Sequence, residues 1–459
     1  MDATKKQKVG LDFTQGNIFK QLVTFVLPLV LANFLQQLYH AVDTMVIGQF
    51  VGSIGTVGVA NGGEVANVIG FVAMSFGGAG QIYIAQLSGA KDERGIKETA
   101  GTLITFCLLL AVGFAVFSIA FCRPLLLWLN TQAEAMQEAV NYMVIVSLGL
   151  PAVFGYNAVC GLLRGMGEAK RPLLFITVAA VTNIVLDLLL VAVIPLAAAG
   201  TALATIAAQY ASFAASLVFL YKKRDLFDFD FKLRSFQMTA ERLKVIVKLG
   251  VPMTVQTSIV HLTQIFCTSR INSFGLVASA TNSIGNRIYR LMHVVMSSMS
   301  TGTGAMVGQN LGAKQYERTR KVVYTSFAVC SCIAAVEVMV ALLLPRQLFA
   351  LFTKDAAVIA FGVTYMRCLV IVFVLSVFQY SFQSIVSGSG YAKLSLISGM
   401  LDGVILRLGI SLPLGAAIGV TGYFVGNNLA HAGPAIIGII YFYSNAWQRR
   451  SLLKESGKK

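Results

Sequence analysis

Residues 86–91 read QLSGAK, and 223 residues later 309–314 read QNLGAK. The same shift pairs Tyr142-Met143 with Tyr365-Met366 and GMGEAK at 165–170 with GSGYAK at 388–393; with one gap it pairs Pro28 with Pro252. A displacement that holds at several separate places marks an internal duplication. Between the matched points lie long charge-free runs, in a chain that is 56% apolar and only 12% charged, outside the range of soluble domains. These runs divide into twelve spans, at 20–48, 55–88, 99–122, 138–162, 172–194, 198–221, 245–274, 276–309, 322–344, 356–386, 394–416 and 418–446. Each repeat holds an even number of spans, so both keep one orientation and are related by an axis along the membrane normal. The expected fold is an all-α polytopic membrane protein, twelve transmembrane helices in two parallel six-helix repeats around a central cavity.

A net charge of +16 invites a nucleic-acid reading, but the charges lie in alternate loops. Of the 36 Lys and Arg, 28 fall in the two tails and in the loops near 91–97, 164–171, 222–248, 314–321 and 393; the opposite loops hold Arg123, Arg346 and Lys354. This asymmetry places both termini in the cytoplasm of a plasma-membrane protein and assigns the clustered cations to anionic lipid headgroups, with no nucleic-acid partner. The domain plan is a cytoplasmic N-terminal segment 1–19, an N-lobe 20–221, a cytoplasmic connector 222–244 lying at the membrane interface, a C-lobe 245–446 and a basic tail 447–459. The first twenty residues are too polar for a signal-peptide core, so the first span directs insertion. Seven scattered cysteines lack a metal spacing and read as small apolar residues. No cofactor or metal is expected, and no H-E-x-x-H or G-x-S-x-G string points to a membrane enzyme.

Five acids fall within spans: Asp43, Glu64, Asp187, Glu337 and Asp402. Each costs about 2.5–3.5 kcal/mol if left charged and unpaired near the bilayer centre, so each needs a reason. In the first repeat, counting 1.5 Å per residue from the span ends brings Asp43, Glu64 and Asp187 to one layer that holds no Lys or Arg. Unpaired carboxyls at that depth are candidates to load and release a cation, against the alternative of permanently protonated structural acids. Asn183, one turn before Asp187, can donate to it. Asp402 has Arg407 five residues on and reads as half of a structural ion pair. Arg287 and Arg290 share a face at i and i+3; they either pair with groups inside their lobe or contact a substrate. His40, His261, His293 and His431 are single and read as structural.

The Pro28…Asp43 helix, the Asn183-x3-Asp187 pair and the duplicated Q-x2-G-A-K together resemble the multidrug and toxic compound extrusion (MATE) family, its DinF-like branch in particular, over residues 15–446. The resemblance implies a V-shaped pair of six-helix bundles that exports organic compounds against a cation gradient. It also implies a proton site on Asp43, Asn183 and Asp187, a span-6 threonine for which Thr201 and Thr205 both stand as candidates, and bending of span 1 at Pro28. The sodium-coupled branch carries an acid in span 7, where this chain has VPMTVQTSIVH; Na⁺ at the first-lobe carboxylates remains the alternative coupling ion to H⁺. The expected function is therefore proton-antiport export of organic, cationic or amphipathic small molecules by a monomer. The rival readings are a lipid-linked precursor flippase of the related superfamily, whose pyrophosphate would suit the second-lobe arginines, and a major-facilitator-type antiporter.

Overall fold

The structure, a computed structural model, describes residues 10–194, 196–224 and 232–455. The first nine residues, the stretch 225–231 of the expected connector and the last four residues of the tail lie outside that description. Twelve helical segments follow the expected order. In the first repeat they are α1 (Ile18–Phe50), α2 (Gly52–Gly89), α3 (Glu93–Ala120), α4 (Met136–Leu148 and Leu150–Gly165), α5 (Lys170–Asp187, continued to Val193) and α6 (Ala197–Lys222). In the second they are α7 (Ala240–Asn272), α8 (Leu276–Gly312), α9 (Tyr316–Leu343), α10 (Ala356–Ser389), α11 (Ala392–Met400, continued to Ile418) and α12 (Val420–Leu429 and Ala432–Tyr443).

Among the described residues, nine helices are long and apolar enough to cross a membrane, and α4, bent by 43° where Gly149 and Pro151 interrupt it, makes a tenth. The other two miss that test for visible reasons. α8 carries Arg287, Arg290 and His293 along its 37 residues, and α12 is broken at Ala430-His431 into pieces of 10 and 12 residues.

The duplication is written into the backbone. Lys91 and Lys314, at the ends of the two Q-x2-G-A-K strings, both adopt the left-handed conformation, with φ of 56° and 58°. Each closes its helix in the same way, Lys91 N–H donating to Ser88 C=O and Lys314 N–H to Leu311 C=O. Packing repeats too. A Cβ on Gly62 would meet the Tyr142 ring, and one on Gly285 the Tyr365 ring; a Cβ on Gly165 would meet the carbonyl of Gln81, and one on Gly388 that of Gly304. Every one of these pairs obeys the 223-residue shift. The glycines are needed because α2 with α4, and α8 with α10, approach backbone to backbone.

Two compact units result, but their limits differ from the expected lobes. Unit 1 holds Leu27–Gly250, whereas unit 2 holds Phe13–Val26 together with Val251–Lys454. The division therefore runs through α1 next to Pro28 and through α7 next to Pro252. Side chains explain it. In unit 2, Phe13 is fully buried; its N–H donates to Gln309 Oε1 at 3.0 Å and its C=O accepts from Arg318 Nε at 2.8 Å. In unit 1, Arg242 at the start of α7 pairs with Glu98 at 3.1 Å and donates to Tyr83 Oη at 2.6 Å. The described part of the connector packs on α3, where Thr105 Oγ1 donates to Phe236 C=O at 2.8 Å. Instead of lying free, the start of the tail folds back: Trp447 is fully buried and Arg450 stacks 3.5 Å above the Tyr391 ring.

Candidate functional site

The site lies in unit 1, on a stripe of α1 at positions 39, 43 and 47. Tyr39 packs with Ile176, Ala179, Ala180 and Ala208 of α5 and α6. Two turns on, Ile47 packs with Val59, Tyr142, Ala198 and Ala202 of α2, α4 and α6. Asp43 sits between these two apolar clusters, so the helix period delivers a carboxyl into a layer sealed above and below. On α5 the same stripe runs Ile176, Ala180, Asn183, Asp187. On α6 it runs Ala198, Ala202 and Ala208, with Thr205 between the two clusters and Thr201 level with the Ile47 cluster.

Asp43 and Asp187 stand side by side, with Asn183 next to Asp187 and the Tyr39 and Tyr142 rings within electrostatic reach. Asp187 and Thr201 are fully buried and Asn183 nearly so, while Asp43 is half-buried. Asp43 Oδ1, both Asp187 carboxyl oxygens and Asn183 Oδ1 complete no well-formed hydrogen bond with a described residue, although Asp43 and Asn183 face Asp187 at hydrogen-bonding range; Thr201 Oγ1, buried on α6, is likewise without a partner. Orphaned buried oxygens are uncommon and ask for an explanation. Every atom of the set is an acceptor or a hydroxyl, and the donors of a base or thiol ligand set are missing from it. Such a group matches a small hard cation, H⁺ or Na⁺. Two ionised carboxylates about 4 Å apart would repel by about 4 kcal/mol at an effective dielectric of 20, and one shared proton removes that term.

The remaining sequence candidates separate. Glu64 on α2 is half-buried with interactions of its own and is not among the groups acting on either carboxyl. Thr205 is half-buried one turn after Thr201 on the same α6 face. Pro28 is buried inside an unbroken α1. In unit 2, Arg407 Nη2 and Asp402 Oδ1 form an ion pair of 2.8 Å with side chains 3% and 7% exposed. Arg287 and Arg290 of α8 are exposed and make no ion pair or hydrogen bond with any described residue, so the expected alternative of pairing within the lobe is not what the side chains do.

One relation escaped the sequence reading. α11 contains a π-helical stretch, Leu401–Leu408, which absorbs one extra residue and moves the repeat register from 223 to 224. In that register, the one that pairs Pro28 with Pro252 and so Asp43 with Cys267, Asn183 and Asp187 correspond to Arg407 and Ser411. The structure agrees, since Cys267 sits against Ser411 with Arg407 within electrostatic reach. Unit 2 thus repeats the geometry of the pair with two neutral groups and a guanidinium already tied to Asp402.

Two six-helix repeats of long apolar helices, one of them holding an adjacent carboxyl pair, have the makeup of a polytopic membrane protein. The MatE family model matches residues 28–189 and 252–424, starting each time at the proline of α1 or α7, and the chain belongs to this family of multidrug efflux transporters. Among curated proteins it is 23% identical over 465 residues to the probable multidrug resistance protein YoeA of Bacillus subtilis, covering 99% of each chain. It is 26% identical over 451 residues to YpnP of the same organism (97% and 99% covered), and 20% identical over 431 residues to the multidrug export protein MepA of Staphylococcus aureus (94% and 95% covered). Among solved structures, an outward-facing multidrug resistance MATE transporter aligns over 100% of both chains with a TM-score of 0.89 at 22% identity. A MATE in a bent conformation also aligns over 100% of both chains, with a TM-score of 0.89 at 23% identity.

Proposed function

We propose that this protein exports organic, cationic or amphipathic compounds across the plasma membrane by proton antiport with alternating access, along the lines of the DinF-like branch. The observation that carries the proposal is the adjacent Asp43–Asp187 pair, three of whose carboxyl oxygens have no well-formed hydrogen bond. In this reading one carboxyl takes up a proton from outside, the repulsion within the pair ends, and α1 repacks about Pro28. Thr24 C=O, four residues before the proline, has no N–H to accept from, so α1 is weakest there. Asn183 and a threonine, Thr201 or Thr205, would orient the protonated pair. The names of the curated relatives support export, and solved structures of a MATE in bent and straight conformations support a helix rearrangement. Both termini are cytoplasmic in this reading, the working unit is a monomer, and Na⁺ is the competing ion at the same oxygens.

A second reading has an observation in its favour. Exposed arginines within a span are stabilised by an anionic group, so Arg287 and Arg290 suit the acidic head of an amphipathic substrate, or the pyrophosphate of a lipid-linked precursor if the chain is a flippase. The family match displaces the major-facilitator alternative.

Dye efflux from cells, with and without an uncoupler and with Na⁺ replaced, tests the proposal. Efflux of cationic dyes that stops with the uncoupler and persists without Na⁺ is the expected result; efflux that stops only when Na⁺ is removed would reassign the ion. In the same assay Pro28→Ala, which returns a donor to Thr24 and relieves a local penalty of about 3 kcal/mol, should stiffen α1. It should slow efflux at least about tenfold, the equivalent of 1.4 kcal/mol, without lowering thermal stability. Unchanged efflux would remove Pro28 from the mechanism.

A further inference from the structure

Glu337 is the membrane-depth acid of unit 2 that the Asp402–Arg407 bridge does not use. It lies on the buried face of α9 with Cys330, Ala334 and Ala341, is 5% exposed, and neither of its carboxyl oxygens has a partner. Packing does not call for an acid there. Its counterpart 223 residues earlier is Phe114, which stacks on Phe154 of α4 with ring centroids 6.1 Å apart. The second repeat has Val377 in place of that partner ring, and the carboxyl in place of the first.

The groups around it are polar and neutral. Tyr289 of α8, Tyr380 of α10 and Cys330 of α9 itself lie within electrostatic reach of Glu337. Tyr380 Oη is 3.2 Å from His293 Nε2, and His293 Nδ1 has no partner, nor does Ser381 Oγ beside Cys330. His431 of α12 is occupied by Gln379 at 2.7 Å. The charged groups that reach these tyrosines, Asp402 and Arg407 of α11, neutralise each other. Among the described residues no cation reaches Glu337, and a buried charge without a partner is costly. Yet neither oxygen is tied to a carbonyl, as a permanently protonated structural acid would be. Six residues separate it from the end of α9 at Leu343, about 9 Å along the helix, a short route to water.

We propose that Glu337 is a second proton-carrying carboxyl, housed in unit 2 and loaded and emptied once per transport cycle. The proposal rests on the antiport reading given above and adds one proton per cycle to that carried by the Asp43–Asp187 pair.

Reconstituted in liposomes with the membrane potential clamped at zero, the protein should balance a pH difference of one unit against a substrate gradient of about a hundredfold, the value for two protons per substrate. Glu337→Gln should balance about tenfold, the value for one. Glu337→Phe, which carries the residue of the first repeat, gives the same readout should the amide disturb the bundle. A wild-type balance of tenfold, or a Glu337 variant that still balances a hundredfold, overturns the proposal. Asp43→Asn in the same assay separates the two claims: if it leaves the balance untouched, the unit 1 reading fails whatever Glu337 does.

Discussion

Asp43→Asn is expected to fold as well as the parent protein and to lose proton-driven export altogether. The first half follows from what the carboxyl does not do. Asp43 Oδ1 has no partner and its neighbour is another carboxyl, so the amide removes a repulsion and can still hydrogen-bond across to Asp187. Thermal stability should be unchanged or slightly raised. The second half follows from energetics. For a neutral substrate, a proton moved inward across a potential of about 100 mV supplies about 2.3 kcal/mol, enough to sustain about a fifty-fold gradient; for a singly charged cation the exchange moves no net charge, and a pH difference of one unit sustains about tenfold. Without a titratable group at position 43, Asp187 alone cannot exchange repulsion for a shared proton, α1 is not switched and the cycle stalls, so that no proton, including one carried by Glu337, is exchanged for substrate and the sustained gradient should collapse towards unity. Asp187→Asn should behave alike. A stable Asp43→Asn protein that still maintains the parental gradient would show that the coupling ion is bound elsewhere.

The second large effect is on stability, and it belongs to the corresponding place in unit 2. Arg407→Leu leaves Asp402 as a buried carboxylate stripped of its guanidinium, a change that costs about 3–5 kcal/mol when such a pair is broken from one side. A large fall in thermal stability in detergent is the expected result. Asp402→Leu combined with Arg407→Leu should recover most of it, because replacing both partners of a buried pair with apolar groups is close to neutral. Transport by the double variant should survive. The opposite behaviour of the two units is the point of the comparison: removing a charge from the Asp43–Asp187 pair should abolish function at no cost in stability, and removing one from Asp402–Arg407 should cost stability. A single Arg407→Leu variant as stable as the parent would mean that the pair contributes nothing to unit 2.

The sequence made the architecture legible because duplication leaves matched strings, and the backbone at Lys91 and Lys314 repeats them faithfully. The carboxyl pair was legible because Asp43 and Asp187 sit in charge-free runs where no counter-ion is near. Glu64 shows the limit of that reasoning. Counting along a span gives depth but not rotation, and Glu64 is not among the groups that act on either carboxyl of the pair. The division of the units beside Pro28 and Pro252 was beyond reach for a related reason: an apolar run shows that a helix is buried, not which bundle each half of it joins. The counterpart of Asp43 was legible, since the register that pairs Pro28 with Pro252 sets it against Cys267; the correspondence of Asn183 and Asp187 with Arg407 and Ser411 was hidden by the π-helical stretch in α11, whose extra residue leaves no gap in either repeated string. Cys267 looked like a small apolar residue; its place beside Ser411 shows that it stands where unit 1 has an acid.

The most direct test of the central claim, that the Asp43–Asp187 pair exchanges a proton for substrate, is a counterflow measurement. Liposomes containing the protein, with an internal pH dye, no Na⁺ on either side and no initial pH difference, are given a substrate gradient alone. Substrate movement through the parent protein should drive protons the opposite way and shift the internal pH, and Asp43→Asn and Asp187→Asn should abolish that shift. A pH shift of the same size in either variant, or one that appears in the parent protein only after Na⁺ is added, would contradict the account.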